Sequence, residues 1–179
     1  AIPAVRANFT IGKHLTPTPD GKEIVINVTG YQWWWAFEYP DLGITTANEI
    51  HVPKDRKIIF NLKSADVLHS FWIPKIGGKT DLIPNQSNSM WLDTTGVPAG
   101  VYYGQCADLC LGAHAYMRLR FVVDEEAAYE SWVTSFQNQQ SQALNATVST
   151  SADPLVDQGK LLFKQKGCAA CHAVGGYSV

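Results

Sequence analysis

From Lys22 to Val123 the chain keeps alternating between short runs of β-branched and aromatic residues and small clusters of turn formers. That rhythm excludes helical bundles and doubly wound α/β folds. The runs are Glu23 to Thr29, Tyr31 to Tyr39, Glu49 to Val52, Lys57 to Leu62, Ser70 to Ile73, Ser87 to Asp93, Gly100 to Gln105 and Met117 to Val123. Between them fall Pro40-Asp41, Pro53-Lys54-Asp55, Gly77-Gly78, Pro84-Asn85 and Gly96-Val97-Pro98-Ala99-Gly100. Short strands at this spacing predict an all-β fold, an antiparallel sandwich or barrel. Within the densest run, Trp33 and Trp35 are expected on one face and Trp34 on the other. Gln32 and Glu38 break that run well short of the ~18 apolar residues a membrane helix needs.

The pattern changes outside this core. Residues 1–21 read as an N-terminal arm, and 22–136 as the β domain closed by a helix that starts at Asp124-Glu125-Glu126. Residues 137–153, rich in Gln, Asn, Ser and Thr, read as a flexible linker. Residues 154–179 begin with an amphipathic helix over Leu155 to Lys164 and then stop too soon to complete a domain. With 14 Lys and Arg against 16 Asp and Glu, the net charge is −2. A polybasic nucleic-acid binder and a strongly acidic disordered tail are excluded. The chain starts at Ala1 without a signal segment and reads as a processed or excised piece.

The four cysteines fall in two tight pairs, each with a histidine behind it. Cys106, Cys110, His114 and Met117 lie within one stretch of twelve residues, Cys106 to Met117. Two thiols, an imidazole and a thioether are the soft and borderline donors that copper favours, whereas zinc has little use for a thioether. A second thiol four residues from the first calls for two sulfurs bridging a pair of copper ions, each completed by one imidazole. His114 serves one ion, Met117 is a weak ligand, and the second imidazole has to come from elsewhere. His69, in Asp66-Val67-Leu68-His69-Ser70-Phe71-Trp72, is hemmed in by apolar residues at a strand mouth and is the best candidate. His14 lies in the arm and His51 on a sheet surface. A disulfide or a structural zinc site remains open as an alternative, at the expense of leaving Met117 to chance.

This stretch resembles the binuclear copper (CuA) domain of cytochrome c oxidase subunit II, a cupredoxin-like Greek-key barrel. The resemblance covers about Gly21 to Val133. It rests on Tyr31-Gln32-Trp33-Trp34-Trp35, on Asp66 to Phe71, on Lys79 to Pro84, on Tyr102 to Cys106 and on the ligand loop, all in the same order. It implies Cys106 and Cys110 as bridging thiolates, His69 and His114 as terminal imidazoles, and Met117 and the backbone carbonyl of Asp108 as weak ligands. Most members carry glutamate where this chain has Asp108, and that glutamate also reaches a magnesium ion shared with subunit I. The carbonyl role needs no side chain; the magnesium contact is left open by the shorter residue. Trp33 corresponds to the tryptophan through which electrons enter from cytochrome c. Glu38, Asp41 and Asp66 are either docking acids or solvated charges.

Cys168-Ala169-Ala170-Cys171-His172 is a haem c attachment motif, in which two thiols bond the haem vinyls and the histidine ligates iron. A copper domain followed by such a motif resembles subunit II of the caa-type oxidases, with its fused cytochrome c. In that family two transmembrane helices precede the domain, so the expectation is that either they were removed here or this chain departs from the pattern. The function implied is electron transfer from cytochrome c through the copper pair to the haem of subunit I. Oxygen reduction there is coupled to proton pumping, on the periplasmic face of a bacterial inner membrane. The rivals are the copper domain of nitrous oxide reductase, whose propeller has no counterpart here, and a non-redox copper or zinc barrel. Quinol oxidase subunit II shares the fold but lacks the copper ligands.

Overall fold

The computed structural model describes residues 21–145 and 154–166, together with Pro3 and Val5. Ten strands alternate with short turns: β1 Ile24–Tyr31, β2 Trp34–Tyr39, β3 Ile44–Ala47, β4 Glu49–Pro53, β5 Lys57–Ser64, β6 His69–Trp72, β7 Lys79–Leu82, β8 Asn88–Asp93, β9 Gly100–Cys106 and β10 Arg118–Asp124. They form two five-stranded sheets, ordered β3-β2-β1-β5-β8 and β4-β10-β9-β6-β7. The alternation legible in the sequence is the alternation of burial: Ile26 and Val28 point inward from β1, and Trp35, Phe37 and Tyr39 from β2.

The two sheets meet on a cluster of aromatic rings. Phe71 of β6 lies 5.5 Å from Trp35, 6.2 Å from Phe37 and 5.2 Å from Phe60, centroid to centroid. Three rings of one sheet thus surround a ring of the other, at tilted or edge-on angles that aromatic quadrupoles favour. Ile50, Val52, Leu119, Phe121 and Val123 complete the second sheet's inner face. The barrel expected from the sequence is therefore present.

Three features differ from that expectation. Not all pairings are antiparallel: β1 runs parallel to β5, and β10 parallel to β4. The chain leaves β1 through the β2–β3 hairpin, crosses as β4 into the other sheet, and returns as β5 beside β1. A crossing of that kind brings strands together in the same direction. Secondly, Tyr31 to Tyr39 is not one strand. Tyr31 pairs with Trp34 across a two-residue turn made by Gln32 and Trp33, so Trp33 does not share a strand face with Trp35. Tyr31 and Trp34 stack instead at 4.6 Å on the outside of the sheet.

Thirdly, the helix after β10, α1, runs Glu126–Asn145, through residues expected as linker. It contains no Gly or Pro, and glutamine and alanine are good helix formers, so polarity alone did not end it. Gln139 donates to the Ser135 hydroxyl one turn back at 3.1 Å. The chain divides into two compact units between Ser131 and Trp132, the barrel belonging to the first. In the second, Trp132 and Phe136 lie 5.6 Å apart on α1, and α2 spans Pro154–Gln165. Among the described residues no helix is long and apolar enough to cross a membrane. His14 and the haem motif Cys168, Cys171 and His172 lie outside the described residues.

Candidate metal centre

The site is built where β6 begins and β9 ends. Phe71 pairs with Cys106, which sets His69, two residues earlier on β6, beside the Cys106 thiol. The chain then leaves the sheet for the loop that carries Cys110 and His114. It comes back as Met117, whose carbonyl accepts the Cys106 N–H at 2.9 Å. Ala107 N–H donates to Ser70 O at 2.9 Å. Two main-chain bonds thus tie both ends of the ligand loop to the sheet, and loop residues inherit the rigidity of strands. Gly30 on β1 leaves room for the imidazole: a Cβ there would stand 3.0 Å from His69 Cδ2.

The loop bends sharply at Leu111 and Gly112, with φ of 65° and 37°. A single 3-10 turn over His114–Tyr116 follows. The β1–β2 turn holds this bend from outside. Trp33 Nε1 donates to Cys110 O at 3.0 Å and to Leu111 O at 2.8 Å, and Gln32 Nε2 donates to Cys110 O at 3.0 Å. The Trp33 ring lies flush on Gly112, where a Cβ would come within 2.1 Å of Cζ2. These contacts account for the turn at Gln32 and Trp33: both side chains are spent on the ligand loop rather than on the sheet. Trp33 remains 38% exposed, open to solvent on one side and to the loop on the other.

His69, Cys106 and Cys110, all buried, place ligand atoms within 4.8 Å of one another. His69 Nδ1 is 3.9 Å from Cys106 Sγ, and His114 Nδ1 is 3.4 Å from Cys110 Sγ. Met117 Sδ lies 3.7 Å from Cys110 Sγ, and the Asp108 carbonyl 3.2 Å from Cys106 Sγ. Two sulfurs therefore sit at the centre, with one imidazole beyond each. Every donor that the sequence assigned to the copper loop is in this group, and so is His69. Both cysteines are free thiols. Two thiols and two imidazoles alone would also suit a structural zinc ion, but zinc has little use for the Met117 thioether and the Asp108 carbonyl beside them, and the whole set fits a metal pair sharing the two thiolates.

The electrostatics of the pair are unequal. Burial opposes ionisation of Cys106, but hydrogen bonds from His69, from the main chain of Ser70 and Asp108, and from Cys110 outweigh it and bring the thiol down to about 6. Cys110, pushed up by burial and by the charge on Cys106, rises to about 12. Burial also opposes protonation of His69, yet its bonds to Cys106 and Asp66 raise its pKa above the usual histidine value. The metal-free site thus holds a thiolate, a thiol and a basic imidazole in contact.

Asp66, expected as a docking acid or a solvated charge, is exposed and is also bonded into the site. Its carboxylate accepts from His69 Nε2 at 2.8 Å, from Gln32 N at 2.7 Å and from Val67 N at 2.6 Å. The signal was its place three residues before His69. Gln32 left no signal, because its role depends on a loop almost eighty positions away. His51, kept apart from the site in the sequence reading, stands between Asp124 at 2.7 Å and Glu49 at 3.1 Å. Glu38 accepts from Asn27 at 3.1 Å. The Asp108 carboxylate belongs to no group of three or more metal-capable side chains among the described residues.

The family described as the periplasmic domain of cytochrome c oxidase subunit II matches residues 43–125. The periplasmic domain of subunit II of cytochrome oxidase from Bradyrhizobium japonicum is 32% identical, with a TM-score of 0.62, over 69% of this chain and 97% of that one. The chain belongs to this family. Cytochrome c oxidase subunit 2 of Alkalihalophilus pseudofirmus is 37% identical over 98% of this chain and 49% of its own length, and that of Bacillus sp. PS3 is 39% identical over 97% and 49%. The chain therefore spans about half the length of these curated relatives. The Alkalihalophilus alignment, covering 98% of the chain, runs through Cys168 to His172. A crystal structure of a mixed disulfide intermediate between a thioredoxin-like protein and subunit II is 32% identical, with a TM-score of 0.59, over 69% of this chain.

Proposed function

We propose that this subunit II domain is the electron-transfer module of a terminal respiratory oxidase, taking electrons from cytochrome c and passing them to the haem of subunit I. One observation carries the reading: two buried thiols in contact, each with an imidazole on its outer side, at the end of a barrel of the subunit II family. In this reading Cys106 and Cys110 would hold two copper ions jointly, with His69 and His114 as the further strong donors and Met117 and the Asp108 carbonyl as weak ones. Such a pair supplies one-electron exchange spread over both metals.

The protein's contribution is to keep every donor still. Little nuclear rearrangement on gain or loss of an electron means a low barrier, and here the donors hang on strand ends and a doubly anchored loop. Burial of His69, Cys106, Cys110 and Met117 excludes water from the sulfur side. Trp33, half-exposed and bonded to the carbonyls of Cys110 and Leu111, is the entry point for the electron. In the complete oxidase, oxygen reduction and proton pumping belong to subunit I, at the inner membrane. Cys168, Cys171 and His172 are the residues that would hold a haem c, as the likeness of their motif to the caa-type oxidases implies, and Asp108 is the residue from which any magnesium contact would come.

Copper loading tests the reading. The loaded chain is expected to be purple, to contain a pair of copper ions, and to show the hyperfine pattern of one unpaired electron shared by two copper nuclei. Cys110→Ser should abolish that shared pattern. A colourless protein retaining zinc, or a Cys110→Ser spectrum identical to the parent's, would remove the bridging assignment.

A further inference from the structure

The two imidazoles at the ends of the donor set are not equivalent. His69 is fully buried, and while Nδ1 faces Cys106, Nε2 is held by Asp66 Oδ1 at 2.8 Å. His114 is part-exposed, faces Cys110 through Nδ1, and among the described residues its second ring nitrogen has no hydrogen bond. A carboxylate behind a ligating imidazole fixes its tautomer and orientation and strengthens it as a donor. Asp66 does this for one half of the site only.

Asp66 is itself fixed. Its Oδ1 also accepts the Val67 N–H, and Oδ2 accepts the main-chain N–H of Gln32 at 2.7 Å. The Gln32 side chain reaches the other way, to the carbonyl of Cys110 at 3.0 Å. One residue of the β1–β2 turn therefore bonds the support of His69 with its main chain and the Cys110 loop with its amide. The path from one imidazole to the far thiol runs His69, Asp66, Gln32, Cys110, entirely outside the donor set.

We propose that Asp66 is a positioning residue for His69, and that through Gln32 it braces the two halves of the metal centre against each other. The inference rests on the copper reading above and makes that centre asymmetric. The carboxylate places negative charge behind one metal, stabilising the oxidised form and biasing the shared electron hole towards the His69 side. Asp66→Asn keeps the size of the side chain and one acceptor oxygen, but it removes the charge and sets an NH2 donor against either the Gln32 N–H or the Val67 and His69 N–H groups.

The test compares Asp66→Asn with the parent chain, and with Asp93→Asn as an equal change of charge at the far end of β8. In the copper-loaded chain Asp66→Asn should raise the reduction potential, weaken copper retention against a chelator by roughly 10- to 100-fold, and alter the balance of hyperfine coupling between the metals. Asp93→Asn should leave all three near the parent values. In the metal-free chain, nitrogen NMR should find His69 in a single tautomer with a slowly exchanging Nε2 proton, and Asp66→Asn should speed that exchange. Gln32→Leu should leave the ring proton protected, since its main-chain N–H survives, while loosening the Cys110 side. An unchanged ring proton together with an unchanged potential in Asp66→Asn would overturn the proposal. A parent chain that takes up no copper pair would instead overturn the functional reading, and the metal-free measurement would still decide what Asp66 does to His69.

Discussion

Gly112 shows how narrowly the ligand loop is fitted. Its φ is 37°, and the space a side chain would occupy is filled by the Trp33 ring at 2.1 Å. Gly43 also has a positive φ, 64°, but nothing lies within 4 Å of its missing Cβ. Gly43→Ala thus reports backbone strain alone, on the order of 1 kcal/mol. Gly112→Ala adds displacement of Trp33 from two carbonyls and should cost more, roughly 2–4 kcal/mol by chemical denaturation. It should also slow electron entry from a cytochrome donor, whereas Gly43→Ala leaves that rate unchanged. Equal costs for the two substitutions would mean that the tryptophan moves freely and is not clamped. Residues of this sort explain why the donor set was legible and its supports were not. Cys106, Cys110, His114 and Met117 announce themselves by chemistry and close spacing, while Gln32 is an ordinary polar residue until the fold brings the loop to it.

Among the elements, β6 carries the most for its length. It has four residues, three of them buried, and it holds His69 at one end and Phe71 in the middle of the core. Phe71→Ala would leave Trp35, Phe37 and Phe60 facing a void, which costs about 3–5 kcal/mol. The expected result is a fall in the urea midpoint of the metal-free chain, accompanied by weaker metal retention because β6 positions a ligand. A loss under about 1 kcal/mol would show that the two sheets are held elsewhere. Strands such as β1 and β5 could be read from alternation because one face is buried and the other is not. The four-residue strands β3 and β7 could not, since neither shows enough alternation to rise above loop composition. The parallel pairing of β1 with β5 was equally hidden, because it joins segments about thirty positions apart and leaves no local mark. The later part of α1 escaped for the opposite reason: residues 137–141 are exposed, and a helical stretch without an apolar stripe looks like linker.

At the scale of the whole molecule, metal and fold are linked through protons. A ligand that binds only the folded chain raises its stability by mass action, by about 4 kcal/mol when its concentration is a thousandfold above the dissociation constant. The donors must be deprotonated to bind, so that gain depends on pH. Cys106, depressed to about 6 in the folded chain, is already ionised at neutral pH, whereas Cys110 at about 12 must release a proton as metal enters. Loading at pH 7 should therefore acidify a weakly buffered solution. In the metal-free chain a depressed thiol contributes stability above its ordinary value of 9.0, and that contribution is lost as pH falls towards 6. Cys110 acts oppositely: its raised pKa costs stability once pH exceeds 9.0, because the unfolded chain ionises there and the folded one does not. The raised His69 helps at low pH and loses its effect as pH climbs through its folded value. Lowering the pH through 6 thus protonates Cys106 and sets a proton against each metal–sulfur bond. The difference in Tm between loaded and metal-free protein should be large at pH 8 and should shrink steadily down to pH 5. A Tm gain that stays constant over that range would mean that the metal is held by groups other than these two thiols.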